Sequence, residues 1–252
     1  MSALQREDIL HQTEGYQVSD RYKVIPTMDV IQRFERFGFE IDSVQAAGTR
    51  SLEKALKQQH MVKLTTSESM FNGEMKPQVI IHNSYDGTKA LNIHVGMFRF
   101  VCANGMVTGH DLVPATRILH SNSDWSNIID SFIDTYDEKY KAQIESIAKL
   151  KDTKMSLDEA YYLAEQALQF RHADKRISNE AVDPLELLIA KRKEDRGNSA
   201  WLRFNVLQES LINGLYRKYD NTGGIQKAKV LTNIEEVIRV NSELSTLFEE
   251  VA

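Results

Sequence analysis

"QVIIHNSYDGTKALNIHVGMFRFVCANGMVTGHDL", residues 78–112, is the stretch whose reading decides the fold. Its apolar residues recur at a period of two, and two turn pairs interrupt it, Asp86-Gly87 and Asn104-Gly105. Asn, Asp and Gly tolerate φ > 0, which two-residue hairpin turns require. The stretch therefore predicts an antiparallel meander. Leu91, Ile93, Val95 and Met97 alternate along one strand, which Phe98 to Val101 extend. A second reading of Asn104-Gly105, as the start of a helix, stays open. Cys102, the single cysteine of the chain, then lies where a strand runs into a turn. A nucleophilic thiol needs a base within hydrogen-bond reach and an electropositive setting. His94 and His110 are near in sequence, but the side of the sheet each faces is left open. A cysteine in an apolar strand is ordinarily buried and inert.

On either side of the meander the period changes. In "RYKVIPTMDVIQRFERFGFEI", Thr27 is placed to cap a helix whose stripe is Val30, Ile31, Phe34 and Phe37, with Gly38 ending it. "SLEKALKQQHMVKLTTSESM" fits a short helix or an entry strand equally well. After residue 120 helical spacing dominates. "SDWSNIIDSFIDTYDEKYKAQIESIAKL" carries a long apolar stripe after a Ser123/Asp124 cap. Ser156-x-x-Glu159 is a capping box. Asp183-Pro184 with Glu186 opens the helix of "DPLELLIAKRK". "NSAWLRFNVLQESLINGLYRKY" follows Gly197 and runs to the edge of "DNTGG". Thr232-x-x-Glu235 opens a last helix. A small meander followed by four or five helices is an α+β pattern.

Composition narrows the function classes. No apolar run approaches the ~20 residues that span a bilayer, and the start shows no basic region followed by an apolar one. One cysteine excludes an internal disulfide framework and a cysteine-based zinc cluster, which suits a reducing compartment. The net charge of −5 argues against a wholly basic nucleic-acid binder but not against a local patch. Such a patch is visible: residues 181–229 carry a net +3, between residues 121–180 and residues 230–252 at −4 each.

Catalytic motifs are absent. The chain has no G-x-S-x-G elbow, no H-E-x-x-H and no phosphate-loop lysine. Gly-rich "NTGGIQKAK" (221–229) lacks the spacing of a phosphate loop and reads as a plain loop. The seven histidines are dispersed; His82 and His94 flank one hairpin and fit cross-strand neighbours, yet two histidines alone make a poor zinc site. The positive signal is basic residues interleaved with aromatics. Lys191, Arg192, Lys193, Arg196, Arg203, Arg217, Lys218, Lys227 and Lys229 surround Trp201, Tyr216 and Tyr219. A groove for single strands needs that mixture, cations for phosphates and ring faces for bases. The same residues also fit a helical core, with Trp201, Phe204 and Tyr216 inside and the cations solvated around them.

The order of these features resembles a phage- and plasmid-borne family, domain of unknown function 932. The matching stretches are "RYKVIPTMDVIQRFERFGFE", "HVGMFRFVCANGMV" with "TRILHS", and "AWLRFNVLQESLINGL" with the late "VNSELSTLF". The resemblance implies a mobile element and the host cytoplasm, and carries no established activity. In arrangement alone, strands followed by a long helix are similar to the core of Rad52-type single-strand annealing proteins. That likeness implies Arg99 and Arg117 as groove residues from the sheet side.

The expectation is therefore an α+β fold: a small antiparallel β-meander within residues 1–122 and a helical bundle over 123–252, packed as one domain. The expected function is that of a phage-encoded, non-catalytic protein binding or annealing single-stranded DNA in phage DNA metabolism, self-associating and without cofactor or metal. The alternative is a factor that inhibits a host protein through acidic surfaces at 124–165 and 235–250. An enzyme built on Cys102 has the least support.

Overall fold

Alternation along the strands organises the first half of the chain. The structure, a computed structural model, describes residues 8–46, 48–49, 51–68, 73–99, 116–172, 182–219 and 224–251. It divides into two compact units, residues 1–96 with 113–141 and residues 97–112 with 142–252. That division falls inside a helix, whereas the boundary read at 122/123 marks the change of hydrophobic period.

In the first unit, β1 (Phe39–Ala46), β2 (His60–Thr66), β3 (Met75–Asn83), β4 (Leu91–Arg99) and β5 (Thr116–Ile118) lie in chain order in one sheet. The β1/β2, β2/β3 and β4/β5 pairs are antiparallel. The register Val62↔Ile81 and Leu64↔Val79 puts these residues on one face. Leu91, Ile93 and Val95 join the same buried cluster. Val30, Ile31 and Phe34 of α1 (Thr27–Glu35) and Ile129, Phe132 and Ile133 of α3 (Trp125–Asp134) pack against it. Each such side chain contributes roughly 1.5–3 kcal/mol on burial, so this face is what holds the unit. The other face of β2 and β3 carries Met61, Lys63, Gln78, Ile80 and His82, also buried. His94 is buried as well; burial, and then the neighbouring His82, lower its pKa to about 4.

Local expectations fail where a distant partner intervenes. Thr27 does not cap α1: Pro26 occupies the cap position and Thr27 is the first helical residue. Its hydroxyl goes into the core instead, 2.7 Å from His60 Nε2. It also accepts hydrogen bonds from Asn83 Nδ2 at 3.0 Å and Tyr85 Oη at 2.7 Å. Phe37, expected on the buried stripe, is 60% exposed because α1 ends at Glu35 and Gly38 turns the chain at φ +80°. Asp86-Gly87 is not a two-residue hairpin. The β3–β4 connection is longer because Tyr85 is drawn into the core. Asp86 Oδ1 accepts from Thr88 N–H (3.1 Å) and Ser84 Oγ from Lys89 N–H (3.0 Å), closing the loop locally. "SLEKALKQQHMVKL" holds both of its readings, α2 (Leu52–Ala55), capped by Ser51, and then β2. Cys102, Asn104-Gly105 and His110 lie outside the described residues.

After α3 the chain breaks at Thr135, whose hydroxyl bonds back to Ser131 O and Phe132 O, and resumes as α4 (Tyr136–Asp152). The second unit then packs α5 (Leu157–Arg171), α6 (Ala200–Asn213) and α7 (Ile234–Glu249) together. Ser156 and Glu159 form the expected capping box of α5. Trp201, Phe204 and Phe248 fill the centre, Trp201 stacked on Phe204 and Phe204 edge-on to Phe248. Three readings need correction here. "DPLELL" makes only a 3₁₀ turn, Pro184–Leu188, because Glu186 turns to Arg217 instead of closing a capping box. The helix expected to reach Tyr219 stops at Asn213, with Gly214 left-handed at φ +59°. Residues Arg217–Tyr219 (β6) then pair with Ile225–Lys227 (β7). The last helix is capped by Asn233 rather than Thr232; its Oδ1 accepts from the Glu235 and Glu236 amides.

Candidate nucleic-acid interface

Why a ribbon forms here follows from the end of α6. A Cβ at position 214 would lie 2.5 Å from Ala228 O, so only glycine lets the returning strand pass so close. Arg171, buried at the end of α5, ties the arrangement: Nε donates to Leu211 O (3.1 Å) and Nη2 to Lys229 O (3.0 Å). The β6–β7 register pairs Arg217 with Lys227 and Tyr219 with Ile225 on one face, and Lys218 with Gln226 on the other.

At the root of this ribbon lies a trough of about 420 Å³. Ile189, Leu215 and Tyr216 give it an apolar floor, and Lys191, Arg217, Lys227 and Glu186 rim it. Glu186 receives the Arg217 amide at 2.6 Å and its Nε at 2.7 Å. The Arg217 guanidinium holds the Glu186 carboxyl below the usual range. Arg217 is thereby largely neutralised. Lys191 and Lys227 are exposed, and no carboxylate of the described residues forms an ion pair with Lys227.

The expected site residues divide into distinct groups. Lys191, Arg217 and Lys227 come together in the trough. Lys218 is on the opposite ribbon face, and Lys229 follows β7, exposed. Lys193 and Arg196 are exposed in the segment before α6. Arg192 is not a surface cation free for a ligand. It bonds Asp195 at 3.4 Å and contacts Glu209, and both carboxylates are buried. Arg203 is half-buried on α6. Trp201 and Tyr216 are each 2% exposed, and the Tyr216 hydroxyl lies 2.9 Å from His172 Nε2. Burial also raises the Tyr216 pKa. The stacking role expected for these two rings is therefore corrected: their helical spacing served the core. The exposed ring is Tyr219, 43% accessible, beside Ile225 at 59%. Its signal was the alternating "RKY…IQK" on either side of "DNTGG", visible once α6 is ended at Gly214. Arg117 is exposed on β5 of the first unit, and the side chain of Arg99 lies outside the described residues.

Among the described residues no three His, Cys, Asp or Glu side chains converge as a metal-ligand set, and no helix is long and apolar enough to cross a membrane. The family model described as domain of unknown function (DUF932) matches residues 16–232. The chain belongs to that family. The DUF932 match takes in the sheet, the ribbon and the trough, and ends before α7. The chain is 26% identical over 235 residues to the UPF0380 proteins YfjQ and YafZ of Escherichia coli (strain K12). Each of those matches covers 92% of this chain and 82% of the relative. No solved structure matches.

Proposed function

We propose that this DUF932 protein is a non-catalytic nucleic-acid-binding protein that holds single strands on the β6–β7 ribbon. The observation that carries the reading is the shared placement of Lys191, Arg217 and Lys227 around one apolar trough, with Tyr219 exposed along the same ribbon face. Cations on a rim track a phosphate backbone, and an exposed phenol offers a face to an unpaired base, worth roughly 1–3 kcal/mol. A duplex keeps its bases stacked on each other, so Tyr219 discriminates in favour of single strands. Action within the DNA metabolism of a mobile element is part of this reading through the family resemblance.

Fluorescence anisotropy with a labelled single-stranded 30-mer tests it. Lys227→Glu and Tyr219→Ala are expected to weaken binding about tenfold each, with circular dichroism unchanged because both side chains are exposed. Arg192→Glu is unsuitable, since it would strand two buried carboxylates. Absence of binding at low salt, or binding indifferent to both variants, would overturn the proposal. Stoichiometric capture of one protein in place of DNA would favour the inhibitor reading.

A further inference from the structure

The first unit carries a second cationic hollow, independent of the ribbon. A groove of about 280 Å³ is lined by Arg21, Lys89 and Arg117, by Ser19 and Ser121, and by His120. No carboxylate lines it among the described residues. Arg21 and Arg117 are exposed, and neither forms an ion pair among the described residues. The carboxylate of the adjoining loop, Asp86, is held by Thr88 and Lys54.

His120 gives this groove a chemical signature. It is 5% exposed and stacked on Tyr22 with centroids 4.4 Å apart. Its Nδ1 lies 3.1 Å from Lys23 O, and its Nε2 lies 2.9 Å from Asn83 Oδ1. The Asn83 amide cannot be reversed. Its Nδ2 faces Ile25 O at 3.0 Å, and its Oδ1 accepts the Ser84 amide at 2.9 Å. A flip would set oxygen against oxygen and N–H against N–H. Both ring nitrogens of His120 therefore face atoms that only accept, and a neutral imidazole can satisfy only one of them.

We propose that this groove binds a phosphoryl group, and that binding is accompanied by uptake of a proton at His120. The imidazolium makes both bonds that the site offers, but it is buried beside three cations. Burial lowers the His120 pKa, against the Lys23 carbonyl that raises it. A doubly charged oxyanion among Arg21, Lys89 and Arg117 reverses that balance. Arginine forks match tetrahedral oxyanions, and three cations match a dianion better than a single carboxylate. The titratable and charged groups around His120 are Arg21, Tyr22 and Lys23 before α1, Lys89 and Asp86 in the β3–β4 loop, Arg117 on β5, and His60 on β2. Only Asp86 is acidic among them, and it is already paired. A free phosphate compound or the terminal phosphate monoester of a nucleic acid supplies such a dianion, whereas an internal backbone phosphodiester carries a single charge.

Calorimetric titration of the intact protein with sodium sulfate tests this, because sulfate stays a dianion while histidine titrates. Runs in two buffers of different ionisation enthalpy count the protons taken up. The expected result is saturable binding with uptake approaching one proton, and a His120 ring resonance moving toward the imidazolium position. Arg21→Gln and Arg117→Gln should each weaken binding about tenfold. His120→Gln should abolish the uptake, and the wild-type resonance gives the same information should that variant misfold. No saturable binding, binding indifferent to both arginines, or binding without proton uptake overturns the proposal. Displacement of sulfate by inorganic phosphate alone would identify a free compound, and displacement by a single-stranded 30-mer only when it carries a 5′-phosphate would identify a nucleic-acid end; either upholds the site, whereas equal displacement by the unphosphorylated 30-mer overturns the choice of a dianion. Lys227→Glu should leave sulfate binding intact, which separates this result from that of the ribbon.

Discussion

One hydroxyl fixes the proton pattern of the first unit's buried network. His60 Nδ1 lies 3.0 Å from Gln58 O, so it carries the hydrogen, and Nε2 accepts from Thr27. Thr27 Oγ1 is then free to accept from Asn83 and Tyr85, while its amide donates to Tyr85 Oη at 3.0 Å. The network is satisfied only with His60 neutral. Burial, its largest cause, lowers the His60 pKa to about 4, and His94 sits at about 4 for the same reason. In the unfolded chain both titrate near ~6.5. Between these values the unfolded chain binds protons that the folded chain refuses. Stability is thus full above about pH 6.5 and is lost as pH falls toward about 4, by on the order of 3 kcal/mol per histidine. Below that, Asp86, whose pKa is lowered, continues the loss. Urea denaturation across this range is expected to show a falling midpoint. His94→Gln should remove about one proton from its slope. A midpoint constant with pH would contradict buried neutral rings.

Elements whose ends are decided by neighbours in sequence were legible, and those decided at a distance were not. The capping box at Ser156, the left-handed turn at Gly38 and the alternation of β4 all depend on residues within a few positions. The 3₁₀ turn after Asp183 and the β6–β7 ribbon depend on Glu186 meeting Arg217 and on Ala228 returning against Gly214, which no local period announces. The candidate site was legible as charge, since the cations of residues 181–229 supply the trough. It was not legible as shape, because Trp201 and Tyr216 have the spacing of a groove and of a core alike. Two of the left-handed glycines separate strain from contact. Gly38 (φ +80°) would place a Cβ in open space, whereas at Gly214 (φ +59°) it would meet the backbone of Ala228. Gly38→Ala is expected to cost about 1–2 kcal/mol from the left-handed backbone alone. Gly214→Ala should cost clearly more and loosen the ribbon, seen as a lower urea midpoint and faster hydrogen exchange at Ala228. Equal costs would mean that the ribbon does not need the close approach.

At the scale of the whole molecule the question is how a chain of net charge −5 could hold a polyanion. Its charges are segregated along the sequence, +3 over residues 181–229 against −4 over residues 230–252. Long-range repulsion is screened beyond about 8 Å at physiological salt, so a local trough can act on its own. The same segregation limits the number of phosphates engaged. With Arg217 compensated by Glu186, Lys191 and Lys227 remain at the rim; each single-strand phosphate contact contributes about −0.7, so log K against log salt should fall with a slope of about −1.4. Lys227→Glu should flatten that slope by about one contact, whereas Tyr219→Ala should weaken binding without changing it, because stacking releases no counterions. A slope of zero would remove phosphate contacts from the mechanism. A slope far steeper than these two contacts allow would show that Lys193, Arg196, Lys218 and Lys229 also reach the strand, and the binding surface would then extend well beyond the trough.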